Sequence, residues 1–255
     1  MKLDNRVAIV TGGSSGIGAE VSVQLAAEGA NVVVVASSDK AKAQIVVDRI
    51  EAAGGKAAAF VCDVRDGNAV AELVKNVEGS LGEIEILINA AGIYDNTPIG
   101  DTDEALLDLI VDVNIKGTFR MIMAVCPLMK ERRKGKVVNF SSVAGVMGIQ
   151  TQSLYCGTKA GIILMTQAMA LELAPFDVNI NTIAPGATKT PINEPLRTQP
   201  EYAHVLEAFE KLTPSNTTFS DPAEIARMVV FLSSDDARPM HGSVVLMDEG
   251  VAAGI

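Results

Sequence analysis

Short continuous runs of apolar, mostly β-branched residues alternate along this chain with longer stretches in which apolar positions recur every three or four residues. The runs fall at 7–10, 31–36, 57–62, 84–89, 136–140, 178–184 and 243–247. They are continuous, not alternating, as in strands covered on both faces. Between them, 39–53 puts Ala43, Val46, Val47 and Ile50 on one helical stripe, and 153–173 does the same with Leu154, Ile162, Met165, Met169 and Leu173. Strands alternating with helices through right-handed crossovers predict an α/β architecture: a doubly wound, mostly parallel seven-stranded sheet with helices on both faces. No repeat or linker interrupts the rhythm, so one domain is expected over 1–255.

The pattern fails at 184–218, where Pro185, Pro191, Pro195, Pro200 and Pro214 leave only a weak helix near 202–212. This stretch follows the sixth strand, at the carboxyl edge where open α/β sheets bind ligands. Residues 187–218 are therefore expected to form a lid over a substrate.

Composition narrows the partners. With 21 Lys+Arg against 31 Asp+Glu, the formal charge is −10, which repels phosphate polymers and anionic lipid. Nucleic acid and membrane surfaces are not expected as partners. No apolar run approaches the roughly 20 residues of a spanning helix, and the first residues lead into the first strand without the pattern of a secretory signal. Cys62, Cys126 and Cys156 are odd in number and widely spaced, which reads as reduced thiols and a cytoplasmic location. His204 and His241 stand without cysteines or acids at ligand spacing, so no metal is expected.

The first run is followed directly by Thr11-Gly12-Gly13-Ser14-Ser15-Gly16-Ile17-Gly18 and then a helical stretch. Glycines in such a strand–turn–helix give a tight turn, close backbone approach to a pyrophosphate, and tight helix–strand packing. The spacing is G-x-x-x-G-x-G, distinct from G-x-G-x-x-G. At the end of the second strand, where an acid normally grips the adenosine ribose of NAD, this chain has Ala36, then Ser37, Ser38, Asp39 and Lys40. Without a carboxylate to repel a 2′-phosphate, and with Ser37, Ser38 and Lys40 as donors, NADP(H) is favoured. NAD(H) stays open, because no arginine stands in the turn or directly after the strand.

Tyr155 and Lys159 are one helical turn apart and share a face. An ammonium about 4 Å from a phenol is worth about 4 kcal/mol at an effective dielectric near 20, enough to lower a tyrosine pKa by roughly three units. That would suit a general acid/base.

The pair, the glycine turn, Asn89-Ala90-Ala91-Gly92, Asn114 in Val113-Asn114-Ile115-Lys116-Gly117, Ser141-Ser142 and Pro185-Gly186 occur in an order that resembles the short-chain dehydrogenase/reductase family over essentially the whole chain. The resemblance implies a single-domain Rossmann fold and a catalytic tetrad of Asn114, Ser142, Tyr155 and Lys159. Ser142 takes the serine position in preference to Ser141. Tyr155 would exchange a proton with the substrate oxygen, Ser142 would hold that oxygen, Lys159 would lower the Tyr155 pKa and bind the nicotinamide ribose, and Asn114 would hold a relaying water. The cofactor contacts it implies are Gly12, Ser14, Ser15, Gly16, Ile17 and Gly18 in the turn, Ser37 and Ser38, and Asp63 and Val64 after the third strand. Asn89, Ala90 and Gly92, then Pro185, Gly186, Thr188 and Thr190, complete the set with Tyr155 and Lys159. Family members commonly form homotetramers, which is the expectation here. The chain departs from the common pattern in N-A-A-G for N-N-A-G and in Asp248-Glu249-Gly250 for D-G-G.

Positions after strands four, five and six assign the substrate pocket to Ile93, Tyr94, Val143, Met147, Ile149, Gln152 and residues near Ile192, with Ser142 on the reacting oxygen. Mostly apolar and uncharged, they suit a neutral ketone or secondary alcohol, interconverted by hydride transfer with the dinucleotide. Two other readings remain. One is a 3-oxoacyl-carrier-protein reductase, whose acidic partner would meet the basic run 130–136, although Phe176 stands where such reductases often place a base. The other is a non-catalytic dinucleotide sensor, which would be expected to lack Tyr155 or Lys159.

Overall fold

The computed structural model describes residues 1–254. Seven strands form one sheet: β1 (Val7–Thr11), β2 (Asn31–Ala36), β3 (Lys56–Val61), β4 (Ile84–Asn89), β5 (Gly135–Phe140), β6 (Val178–Pro185) and β7 (Val244–Met247). Their order is β3-β2-β1-β4-β5-β6-β7. All the pairings are parallel, so the expected mostly parallel sheet is entirely so.

Successive residues of a strand point to opposite faces, which divides the core in two. Ala8 and Val10 of β1 pack with Val21 and Leu25 of α1 (Gly16–Ala27), Ile50 of α2 (Lys40–Ala52) and Val229 of α9 (Pro222–Ser233). Val7 and Ile9 pack with Leu73 of α3 (Gly67–Ser80), Val125 of α5 (Thr118–Arg132) and Leu173 of α6 (Ser153–Leu173). The helix read at 39–53 begins one residue later, because Asp39 is its N-cap and accepts from the Ala41 amide at 2.9 Å.

Chain order reverses between β2 and β4 on either side of β1, which opens a crevice at the carboxyl ends of β1 and β4. Beside it, α4 (Glu104–Val111) runs through a π-helical turn, Asp112–Gly117, into α5. A Cβ on Gly117 would stand 2.6 Å from Val64 Cγ2, so the wide turn seats against the strand-three loop where only glycine fits. The proline-rich stretch after β6 holds α7 (Glu194–Thr198) and α8 (Ala203–Leu212). Neither buries a residue fully, and Phe209 of α8 stacks on Phe219 at 6.2 Å.

Candidate active site

A cleft of about 360 Å³ runs along the carboxyl edge of the sheet. One wall is the glycine turn: Gly12, Ser15, Gly16, Ile17 and Gly18. Gly12 has φ +65°, and a Cβ there would come 2.8 Å from the Ala91 amide nitrogen. A Cβ on Gly18 would collide with the Gly12 carbonyl oxygen. Both glycines are thus required by backbone packing as well as by any ligand. Ser15 is the N-cap of α1 but makes no side-chain cap bond, and no acid stands in the first turn. The first amides of α1 consequently remain available to an anion and meet the positive end of the helix dipole. A diphosphate fits this wall.

The opposite wall is Ser142, Tyr155 and Lys159, with Ala90, Ala91, Gly92, Ile93 and Tyr94 between. Lys159 is 5% exposed, and its Nζ donates to the Phe140 carbonyl at 2.9 Å. Its own carbonyl accepts from Ser141 Oγ at 2.8 Å, so Ser141 braces α6. Ser142 Oγ accepts from the Ala144 amide at 3.2 Å. Among the described residues lining the cleft, Lys159 alone is charged. An acidic protein thus presents this cleft without a carboxylate on the wall.

The electrostatics differ from the sequence expectation. The Lys159 Nζ lies 5.5 Å from the Tyr155 ring centroid. Burial pushes Tyr155 up to about 12, against the opposing pull of its hydrogen bond with Ser142, and burial pushes Lys159 down to about 8. The expected lowering of the Tyr155 pKa is absent from the free chain, because burial disfavours the charged form of each group, raising the tyrosine and lowering the lysine.

Asn114 is fully buried in the π turn, behind the wall. Its Oδ1 accepts from the Ile93 amide at 2.9 Å, and its Nδ2 donates to the Ile93 carbonyl at 3.0 Å and to Thr158 Oγ1 at 3.2 Å. The side chain therefore braces the β4 loop against α6. Asn89 is also buried, its Nδ2 donating to Asn139 Oδ1 at 2.9 Å across the sheet.

Pro185, Gly186, Thr188 and Thr190 close the far side of the cleft. Ser37 and Ser38 are exposed beyond the end of β2, Ser14 is half-buried, and Val64 is buried under Gly117. Asp63 is held by Arg65, whose Nε and Nη2 donate to its carboxylate at 3.0 and 2.6 Å. That guanidinium keeps the carboxyl below its usual range.

Of the predicted pocket residues, Ile93, Tyr94 and Ile192 reach the cleft wall. Val143, Met147, Ile149 and Gln152 are not on it, and Gln152 donates to the Tyr94 hydroxyl at 3.3 Å. Sequence reasoning did not single out Phe140 or Ala187 on the wall, and it reached Pro191 and Asn193 only as neighbours of Ile192. Asn193 had a signal: with Thr190 it forms a capping box, legible as T-x-x-N before a helix.

A doubly wound parallel sheet whose switch point carries a glycine turn opposite a Tyr–Lys pair defines a dinucleotide-dependent oxidoreductase. Comparison with known proteins gives the family. The family model for short chain dehydrogenases matches residues 6–201. The 3-oxoacyl-[acyl-carrier-protein] reductase FabG of Thermotoga maritima is 35% identical, covering 98% of this chain and 99% of its own. Among solved structures, a putative short-chain alcohol dehydrogenase from Sinorhizobium meliloti has TM-score 0.93 at 34% identity, covering 100% and 99% of the two chains. A 3-oxoacyl (acyl-carrier-protein) reductase from Agrobacterium tumefaciens C58, solved with NADP bound, has TM-score 0.90 at 28% identity, covering 97% and 94%. The chain belongs to the short-chain dehydrogenase/reductase family and is an oxidoreductase acting on a CH–OH group. Among the described residues no helix is long and apolar enough to cross a membrane.

Proposed function

We propose that this enzyme interconverts a neutral ketone and a secondary alcohol, with NADP(H) as the favoured dinucleotide and Asn114, Ser142, Tyr155 and Lys159 as its catalytic set. The observation that carries the reading is the convergence of Ser142, Tyr155 and Lys159 on one wall of a cleft whose other wall is a glycine turn with free helix amides. The bound dinucleotide supplies or accepts the hydride at the carbonyl carbon. Tyr155 stays protonated through neutral pH, since its pKa is about 12, and so is ready to donate to the carbonyl oxygen in the reductive direction. Ser142 Oγ hydrogen-bonds the same oxygen as charge develops. Lys159, protonated below about 8, places a cation beside the phenol and the ribose. Asn114 holds the loop and α6 in register, and its main-chain carbonyl, which accepts from Thr118 Oγ1 at 2.8 Å, is the group that would meet a relaying water in this reading.

The NADP preference is supported by Ala36 at the end of β2 and by the exposed Ser37 and Ser38 after it. The nearest acid, Asp39, has its carboxylate engaged in capping α2. Asp63 would meet the adenine while sharing its carboxylate with Arg65. We assign residues 187–218 as the substrate lid, with α7 and α8 as its moving parts. A homotetramer is supported by exposed apolar side chains on neighbouring helices, Phe119 and Met123 on α5 and Leu164 and Leu171 on α6. The location is cytoplasmic in this reading.

A carrier-linked 3-oxoacyl reductase is the second reading, favoured by the names of the relatives. Its docking run is internally engaged here. Arg132 pairs with Glu78, Arg133 with Asp177 and Lys134 with Glu85, while Lys130 lies over the Phe176 ring at 4.4 Å. Titration with NADPH and NADH side by side, followed by a panel of free ketones and a carrier-linked 3-oxoacyl substrate, separates these readings. Tight NADPH binding with turnover of free ketones is the expected result. Preference for NADH overturns the cofactor assignment, turnover confined to the carrier substrate selects the second reading, and binding of neither dinucleotide overturns both.

A further inference from the structure

The turn after β7 departs from the common D-G-G pattern at one residue, with Glu249 in place of the first glycine. Its φ is +58°, in the left-handed region that glycine enters freely and a glutamate does not. Such strain persists where surrounding contacts enforce it, often beside functional sites. Here the contacts belong to the glutamate itself. Its Oε2 accepts from Ser215 Oγ at 2.6 Å and its Oε1 from Ser220 Oγ at 2.8 Å, while its main-chain carbonyl accepts from the Ser215 amide at 3.3 Å. Hydrogen bonds to an ionised acceptor are roughly twice as strong as neutral ones. The turn is fixed from below by the buried Asp248, whose carboxylate accepts from the Gly250 amide at 3.1 Å and the Ala252 amide at 2.7 Å.

Ser215 and Ser220 stand at the base of the segment 187–218. Ser220 is buried, its amide donates to the Ala187 carbonyl at 2.9 Å, and its carbonyl accepts from the Lys189 amide at 3.0 Å, a parallel bridge opposite Thr188. Ala187 and Thr188 line the cleft. Thr190, just beyond, lies against the glycine turn: a Cβ on Gly16 would stand 3.4 Å from Thr190 Cγ2. One carboxylate oxygen thus grips the strand that carries this wall of the cleft, and the other grips the far end of the segment. The helices between, α7 and α8, bury no residue fully, which leaves the base to carry much of the anchorage.

We propose that Glu249 is a positioning residue for the dinucleotide. By bonding both hydroxyls it ties the two ends of the 187–218 segment to the end of β7, and so sets how fast that segment opens to release the dinucleotide. The proposal rests on the dinucleotide and lid assignments above.

The test compares the parent with Glu249→Gly, which removes the carboxylate and relieves the backbone, and with Glu249→Gln, which keeps two hydrogen-bonding ends. Lys189, Arg197 and Lys211 lie within the segment, so the rate of tryptic cleavage at these sites, mapped by mass spectrometry, reads local opening without a ligand. Stopped-flow displacement of bound NADPH, or of NADH if that binds more tightly, reads release. Glu249→Gly should raise both rates about tenfold, with a thermal midpoint near the parent's, and Glu249→Gln should fall between the two. Parental rates in folded Glu249→Gly overturn the proposal. So does cleavage raised equally along the whole chain with a lowered midpoint, which is what a merely structural role predicts, and so does faster cleavage with unchanged release. If Glu249→Gly fails to fold, Ser215→Ala deletes one of the two bonds and should raise both rates by a smaller factor; parental rates there overturn the proposal. A parent that binds neither dinucleotide overturns the underlying reading instead, and the proposal falls with it.

Discussion

Two lysines are buried at opposite edges of the same sheet, and their surroundings separate a site from a scaffold. Lys159, at the carboxyl edge, is 5% exposed and Lys136, at the amino edge, is 7% exposed. Desolvation lowers the pKa of both. Lys136 donates to Asn179 Oδ1 at 2.8 Å and lies 3.8 Å from Asp235, within a web where Arg6 pairs with Asp235 and Lys134 with Glu85. Lys159 is bonded to one backbone carbonyl and faces a cleft with no acid on its wall. Cations at the amino edge answer carboxylates of the same chain. The carboxyl edge keeps a cation, helix amides and two hydroxyls for something that arrives from outside.

The sharpest way to break this contrast is Lys159→Met. Under the proposed assignment, kcat/KM should fall by about a thousandfold, the scale of positioned acid–base help, in a steady-state assay on the best ketone. Retention of near-parental turnover would make Lys159 as structural as Lys136.

A second perturbation targets the opposite wall. A Cβ from Gly18→Ala would meet the Gly12 carbonyl oxygen, which is backbone and cannot swing away. Overpacking of this kind costs about 1–3 kcal/mol, to be read as a lowered thermal midpoint together with weaker dinucleotide binding. A melt and affinity equal to the parent's would mean that the turn relaxes freely and does not set the wall.

How much of this was legible in the sequence follows from the range of the contacts. Strands buried on both faces announce themselves as continuous β-branched runs, and six of the seven keep their predicted start or end. The glycine turn is local, and Tyr155 and Lys159 share one helix, so spacing shows each group together, while the catalytic reading of the pair came from its resemblance to the family. The π turn at Asp112–Gly117 carried no such sign, and the neighbour it packs against, Val64, lies far away in the chain. The Tyr94–Tyr155 contact likewise joins two loops that meet only in the fold. Spacing also misled on the Tyr155 pKa: it reported a nearby charge and was silent on desolvation.

Stability against pH sharpens the comparison further. Lys159 titrates near 10.5 when unfolded and about 8 when folded, so between those values the unfolded chain binds the extra proton. The contribution of Lys159 to the stability of the dinucleotide-free protein therefore rises as pH increases from about 8 toward 10.5 and is lost as pH falls through that window. Tyr155, raised to about 12, acts in the opposite sense only above its ordinary value near 10. Urea unfolding at pH 8, 9 and 10 should give a more positive slope in the parent than in Lys159→Met, on a background to which the buried Cys62 and Cys126 thiols, pushed up to about 11 and about 12, contribute in the opposite sense above their ordinary value near 9. Lys136, lowered in the same direction as Lys159, adds a contribution of the same sign. Identical slopes in parent and variant would sink the claim that Lys159 is buried against its charge.

The smallest effect is expected from Lys136→Met, the mirror of the first substitution. Removing this lysine deletes its bond to Asn179 Oδ1 but also removes a cation that burial disfavours. Asn179 keeps its donations to the Arg238 and Met240 carbonyls. The buried Asn179 Oδ1 left without a donor costs about 1–3 kcal/mol, and loss of a cation that burial disfavours offsets part of this, so the unfolding free energy should fall by about 1 kcal/mol. Lys136 lies at the other edge of the sheet from the cleft, so kcat and KM should match the parent. A large loss of stability would show that the amino-edge web depends on its buried lysine. A large loss of activity with stability intact would show that the two edges are coupled through β5, and the division between scaffold and site would have to be redrawn.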